Sequence, residues 1–238
     1  MAETASTNSD VKLLVEQGDA VEGFWLRAEK QVGGVGRMGR KWESPEGNLY
    51  CSTVVDMMPG DPAPSSLSFV TSLAVYDMLK TQIGPNASIM LKWPNDILVN
   101  NAKICGILLE RILEKVVVGI GINIISAPRL PDRETTYLHA ASDRNGNDAS
   151  QILDHLIPFF ESRLKQWRQS GLQSILRDWQ SAAHVPGTSL YISDHDGTKV
   201  RGEYLGLTDA GALRLRKADG TLIVLHAGDV EMDQRDAL

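Results

Sequence analysis

The chain has 238 residues, 42% hydrophobic and 23% charged, the balance of an ordinary soluble globular protein with one domain or one plus a small appendage. Its net charge of −6 argues against a general nucleic-acid binder, whose affinity rests on cations that neutralise phosphates. No apolar run approaches the roughly 18 residues of a membrane span, and the N-terminus lacks the charged-then-apolar pattern of a signal peptide.

Ser6-Thr7-Asn8-Ser9 ahead of Val11–Val15 predicts a capped helix ending near Gly18. Phe24–Ala28 reads as a short strand entering a Gly/Arg loop, and Leu49–Val55 as the strand leaving it. Pro59 to Pro64 is a turn. From Ser65 or Ser66 an apolar-periodic helix runs through Phe69, Leu73, Val75, Met78 and Leu79, closed by Gly84-Pro85. Four closely spaced strands follow, over 89–93, 97–99, 104–112 and 116–125, with hairpin turns at Asn100-Asn101 and Glu114-Lys115. Residues 126–147 read as an irregular polar loop, and 149–182 as helix with Leu153, Leu156, Phe160, Leu164 and Trp167 on one face. Pro186-Gly187 marks a boundary. Beyond it, four or five short strands separated by Asp196-Gly197, Ala210-Gly211 and Asp219-Gly220 suggest a small barrel, too short to bury much core alone and expected to pack on the first domain.

The densest signal is Gly33–Trp42, which joins four glycines to three cations and closes on an indole. Such a loop can turn backbone N–H groups toward an anion, add guanidinium charge and offer a flat face to a purine. Gly34-Val35-Gly36-Arg37-Met38-Gly39 also matches the dinucleotide pattern G-x-G-x-x-G, with Asp56 downstream. That reading requires a helix to start at the glycines. Pro45 and Gly47 forbid one, and the next strand begins at once, so the dinucleotide reading fails on context.

Three further stretches carry polar groups in telling places. Lys92-Trp93-Pro94-Asn95-Asp96 is a strand, a proline stop and an Asn–Asp corner, which alone is most simply a turn. Lys103–Glu110 is a strand opened by a lysine and carrying Gly106, a residue that marks close approach of a backbone or ligand. Gly119-Ile120-Gly121-Ile122-Asn123 puts two glycines and an amide in an apolar strand, suited to a flat ligand or to crowded packing. The five histidines are scattered, no cluster has metal-ligand spacing, and Cys51 with Cys105 suggests neither a disulfide framework nor a zinc site. A reducing cytoplasm is the simplest compartment, and no metal site is expected.

Together, in order, these stretches resemble the catalytic core of biotin–protein ligases. Ser6-Thr7-Asn8 is similar to the family's Ser-Thr-Asn, and Gln31 with Gly33–Trp42 to its Gln…Gly-Arg-Gly-Arg-x-Gly-Arg-x-Trp loop. Lys92–Asp96 matches Lys-Trp-Pro-Asn-Asp, Lys103–Glu110 matches Lys-x-x-Gly-Ile-Leu-x-Glu, and Gly119–Asn123 matches Gly-x-Gly-x-Asn. The resemblance runs from near residue 4 through the C-terminal module. It implies an α+β fold: a mixed sheet with helices packed on one face, like class II aminoacyl-tRNA synthetases, over residues 1–185, then an SH3-like barrel over 186–238. It implies that biotin and ATP give biotinyl-5′-AMP and pyrophosphate, and that biotin then passes to one lysine of a carboxylase carrier domain.

By the same resemblance, Lys103, Arg37 and Asp96 are the catalytic set. Lys103 bridges the biotin carboxylate and the α-phosphate, Arg37 with Arg40 closes over them, and Asp96 orients Lys103 or the incoming lysine amine. Ser6, Thr7 and Gln31 meet the ureido ring, Asn8 belongs to the biotin site beside them, and the Val35, Gly36 and Arg37 backbone meets the biotin tail and carboxylate, with Lys103. Arg37, Arg40, Trp42, Asn95, Lys103 and Asn123 hold ATP and the adenylate. ATP and biotin are substrates, and Mg²⁺ travels with ATP. Two positions depart from the pattern: Val35 stands where the family usually has Arg, and Ala5 where an acidic residue commonly precedes Ser-Thr-Asn. A backbone role at 35 would leave the first departure harmless. The start near Ser-Thr-Asn suggests the single-function form without a winged helix-turn-helix, as a monomer or a homodimer paired through a sheet edge. Residues 32–46 are expected to be mobile until ligand orders them. The alternatives are a lipoate or octanoyl transferase of related fold, whose Arg-Arg-x-Ser-Gly-Gly-Gly signature is missing here, and a non-catalytic biotin-binding regulator.

Overall fold

The computed structural model describes residues 1–131, 133–142, 146, 148–193 and 199–232. A two-residue strand β1 (Glu3–Thr4) leads into helix α1 (Thr7–Gln17), whose last turn closes on Gly18 at φ 83. Strands β2 (Trp25–Ala28), β3 (Lys30–Gln31) and β4 (Leu49–Asp56) follow, then helix α2 (Leu67–Gln82). Next come β5 (Ile89–Lys92), β6 (Asp96–Val99), β7 (Ala102–Ile112) and β8 (Lys115–Ile122). A single turn α3 (Leu138–Ala141) interrupts the segment expected to be irregular, and α4 (Ala149–Ser181) follows. The chain finishes with β9 (Ser189–Ser193), β10 (Lys199–Leu207), β11 (Leu213–Arg216), β12 (Leu222–Leu225) and β13 (Asp229–Met232).

Six strands form one sheet in the order β2-β4-β8-β7-β6-β5, antiparallel at every pair. Parallel pairing lies outside this sheet's ladders: β1 runs parallel to β3 in a separate two-stranded sheet, and isolated parallel bridges join Leu91 to Ala183 and Lys103 to Thr135. The reason is local: β5 to β8 are joined by tight turns that only reverse the chain, whereas parallel neighbours need a long crossover. Asn100 and Asn101 take φ 50 and 66, the left-handed pair that such a hairpin requires. The next turn centres on Leu113-Glu114, with Leu113 at φ 52, one residue before the expected Glu114-Lys115. Lys115 is already in β8, where its ammonium meets the Asp56 carboxylate across the sheet.

Side chains alternate across the strands, so neighbouring valines part company. Val55, Val116 and Val118 face the main core, against α2 and α4, while Val54 and Val117 face the other way, against Val11 and Val15 of α1. The expectation of helices on one face therefore describes α2 and α4. Helix α1 lies on the opposite face and covers only one end of it. Buried indoles stitch the two long helices together: Trp167 Nε1 donates to Ser66 Oγ at 2.8 Å and Trp179 Nε1 to Ser72 Oγ at 3.0 Å. Helix α4 starts in a capping box between Asp148 and Gln151 and is broken at Gly171, φ 73.

The C-terminal strands form a second antiparallel sheet in the order β12-β11-β10-β9-β13. Leu190, Ile192, Tyr204 and Leu215 of this sheet join the same buried cluster as α2 and the main sheet. The expected turn at Asp196-Gly197 lies outside the described residues. Among the described residues no helix is long and apolar enough to cross a membrane.

Candidate functional site

The face of the main sheet that α1 leaves open is floored by glycine. At Gly121 a Cβ would stand 2.6 Å from Trp42 Nε1, and at Gly106 2.9 Å from the Trp42 ring, so only glycine lets the indole lie on the strands. One pocket on this face is lined by Ser6, Thr7, Asn8, Gln31, Val35, Gly36, Arg37, Arg40, Trp42, Asn95, Lys103 and Asn123. These are the residues expected from the sequence, gathered from α1, the Gly/Arg loop and strands far apart in the chain. Asp96, the one expected residue outside the lining, sits behind Lys103 with its carboxylate 2.6 Å from the Lys103 ammonium.

The Gly/Arg loop is a narrow hairpin. Gly36 N–H donates to Arg40 O at 2.7 Å and Trp42 N–H to Gly34 O at 2.9 Å, with Val35 opposite Lys41 between them. A single 3₁₀ turn over Arg37–Gly39 closes it, with Met38 at φ 58. No α-helix begins at the glycines, in agreement with the rejection of the dinucleotide reading. At Gly34 a Cβ would lie 2.5 Å from Trp42 O, so this position too needs glycine. Because Val35 and Lys41 form the non-hydrogen-bonded pair of the hairpin, the Val35 backbone takes no part in its ladder. Arg37 leaves the hairpin and donates from Nη1 to Asn95 Oδ1 at 3.1 Å and to Gly228 O, in the connection just before β13, at 3.4 Å.

Lysine and aspartate at the centre define the electrostatics. Asp96 is buried, with Lys103 on one oxygen and Lys92 at 3.6 Å from the other. Burial opposes its ionisation, but the two ammoniums outweigh that and hold the carboxyl below the usual range. Lys103 Nζ also stands 5.3 Å from the Trp42 ring centroid, a cation–π distance. Asn95, between the Trp93–Pro94 turn and β7, donates from Nδ2 to Ile107 O at 2.8 Å, so its Oδ1 faces Arg37.

At the α1 end, Gln31 Oε1 accepts the Thr7 N–H at 2.9 Å and so caps the helix from β3, while Ser6 at the N-cap position makes no side-chain cap. Gln31 Nε2 donates to Ser44 Oγ at 3.0 Å. Asn123 donates from Nδ2 to Thr136 O at 3.0 Å. Since a carbonyl only accepts, this leaves Asn123 Oδ1 in the pocket, buried and without a hydrogen-bond partner among the described residues, as is Trp42 Nε1.

Sequence reasoning missed Ser44, Ser52 and the Glu134–Thr136 segment. That segment lies in the polar stretch read as an irregular loop, yet Lys103 N–H donates to Glu134 O and Thr136 N–H to Lys103 O, both at 2.9 Å. Backbone pairing of this kind leaves no side-chain signal. Among the described residues no group of three or more His, Cys, Asp or Glu side chains is placed to hold a metal.

Two family models match the chain: the Biotin/lipoate A/B protein ligase family over residues 3–124 and the Biotin protein ligase C terminal domain over residues 193–233. The chain is 34% identical over 235 residues to the Biotin--[acetyl-CoA-carboxylase] ligase of Paracoccus denitrificans, covering 94% of this chain and 96% of that protein. It is 33% identical over 237 residues to the protein of the same name from Mycobacterium tuberculosis, covering 97% and 86%. Its structure superposes on that of the biotin protein ligase from Aquifex aeolicus in complex with biotin and ATP with a TM-score of 0.83 and 25% identity, over 98% of this chain and 97% of that one.

Proposed function

Because the chain belongs to the Biotin/lipoate A/B protein ligase family, we propose that it joins biotin to ATP and passes biotin to one lysine of a carrier domain. In the first step a biotin carboxylate oxygen bonds to the α-phosphorus and pyrophosphate leaves. In the second, a lysine amine attacks the acyl carbon of biotinyl-5′-AMP, AMP leaves, and the amine loses its proton. The observation that carries the reading is Lys103, ion-paired to buried Asp96, at the centre of a pocket whose rim holds Arg37 and Arg40.

Two anions must meet for adenylation, so fixed positive charge aimed at their junction lowers the barrier. Lys103 supplies it between carboxylate and α-phosphate, and Arg37 with Arg40 closes from the loop. Asp96 acts as the positioning residue for Lys103, since its two oxygens already face Lys103 and Lys92. Ser6, Thr7 and Gln31 meet the ureido ring, and the Val35–Arg37 backbone meets the tail and carboxylate, a role in which Val35 serves as well as Arg. Trp42 and Asn123 hold adenine, with Asn95 fixing Arg37. Mg²⁺ enters as part of the MgATP substrate. We take residues 1–185 as the catalytic unit and 186–238 as an SH3-like module. The names of the curated relatives support a carrier domain of acetyl-CoA carboxylase or a related carboxylase as partner, and ATP use with two buried free cysteines fits a cytoplasmic site of action.

The deciding experiment is exchange of labelled pyrophosphate into ATP, expected with biotin. Exchange with lipoate instead, or biotin binding without any exchange, would overturn the proposal. Asn123 offers a finer check. Its unpartnered Oδ1 suits the adenine amino group, so Asn123→Ala should raise the KM for ATP by about 10-fold, the cost of one lost hydrogen bond in a dry site. Steady-state kinetics at saturating biotin measures this, and the KM for biotin should stay within about twofold.

A further inference from the structure

We infer that Glu110, at the far end of β7 from Lys103, is a positioning residue for biotin, acting through Asn8 and Ser52 on the Thr7 hydroxyl. The inference rests on the pocket being a biotin site. Glu110 Oε1 accepts from Lys12 Nζ at 2.5 Å and Oε2 from Asn8 Nδ2 at 2.8 Å. A carboxylate only accepts, so the Asn8 amide has a single orientation, with Oδ1 turned to Ser52. Gly119 makes room for it: a Cβ there would lie 2.2 Å from Asn8 Oδ1.

The rest follows from counting hydrogens. Ser52 Oγ lies 2.6 Å from Asn8 Oδ1 and 2.7 Å from Thr7 Oγ1. A hydroxyl has one hydrogen, and Asn8 Oδ1 can only accept, so the Ser52 hydrogen goes to Asn8. Thr7 must then donate to Ser52, its closest acceptor, rather than to Gln31 Oε1 at 3.2 Å. This leaves the Thr7 oxygen facing the pocket as an acceptor, matched to an N–H of the ureido ring. Glu110 thus sets the polarity of a group it does not touch, two side chains away.

Glu110→Gln tests the relay because Lys12 dictates how the new amide sits. The ammonium only donates, so Gln Oε1 stays on Lys12 and Nε2 replaces the oxygen that faced Asn8. Asn8 must turn over, Ser52 must donate to Thr7, and the Thr7 hydrogen must leave Ser52 for Gln31 Oε1 at 3.2 Å or for the pocket. One lone pair of Thr7 is then spent on Ser52, and the groups facing the ureido ring no longer offer the same acceptors. Calorimetry should show the biotin Kd of Glu110→Gln raised by roughly 10-fold or more, with kcat at saturating biotin and the KM for ATP within about twofold. Lys12→Met, which removes the ion pair but keeps the carboxylate on Asn8, should leave the biotin Kd within about twofold. The double variant Glu110→Gln with Asn8→Asp restores an acceptor-only group beside Ser52 and should recover the Kd to within about threefold of wild type. A wild-type Kd in Glu110→Gln, or no recovery in the double variant, overturns the relay. Wild-type protein that binds no biotin overturns the functional reading itself, and calorimetry on the wild type alone separates the two failures.

Discussion

Lys103→Ala is expected to lower biotin-dependent pyrophosphate exchange by about 10²–10³, the cost of removing one preorganised donor from a developing anion. The ammonium stands on the glycine-floored face, held by Asp96 at 2.6 Å and lying 5.3 Å from the Trp42 ring. It therefore meets the reacting groups already desolvated and oriented, which is where a charge acts most strongly. Loss should fall on kcat more than on the KM for biotin, because ureido and tail contacts lie on other residues. Exchange rates normalised to folded protein check this, and a loss below about fivefold would exclude Lys103 from the transition state.

Asp96→Asn is expected to cost about 3–5 kcal/mol of stability, as when one partner of a buried pair is removed and the charges left behind remain. Here two ammoniums, Lys103 and Lys92, lose their shared counter-ion at a site that is buried. The variant should also adenylate more slowly, since Lys103 is no longer held. The acid dependence has a definite sign. Burial works against the Asp96 carboxylate, but Lys103 and Lys92 depress its folded pKa below the unfolded value of about 3.9. Its contribution is complete above that unfolded value and disappears as pH falls through the lower folded one. Denaturant unfolding at pH 7 should separate wild type from variant widely, and the gap should close on acidification below about pH 4. A gap that is constant with pH would place the stabilisation outside this ion pair.

Much of this architecture was legible from local rules. The α2 and α4 helices, the four strands of 89–125 and the Asn100-Asn101 turn follow apolar period and turn chemistry, which depend on near neighbours. The Gly/Arg loop was legible for the same reason, since Pro45 and Gly47 block a helix wherever the rest of the chain lies. The side of the sheet on which α1 packs was not, because alternating valines such as Val54 and Val55 serve either face equally well. Nor was the Glu134–Thr136 segment, whose contribution is backbone pairing to Lys103 and Asn123 from a polar stretch without period.

Asn8 and Asn123 show where the division falls. The ordered motifs, through their resemblance to a family, were enough to expect both amides in the same site as Lys103 and the Gly/Arg loop. What each amide has left to offer emerges once the chain is folded. Asn8 is committed at both ends, to Glu110 and Ser52, whereas Asn123 is held at one end by Thr136 and keeps a bare oxygen in the pocket. The physical reason is that a hydrogen bond is directional and its groups are few. Which lone pairs and hydrogens remain for a ligand depends on partners up to 102 residues away, and no local pattern carries that information.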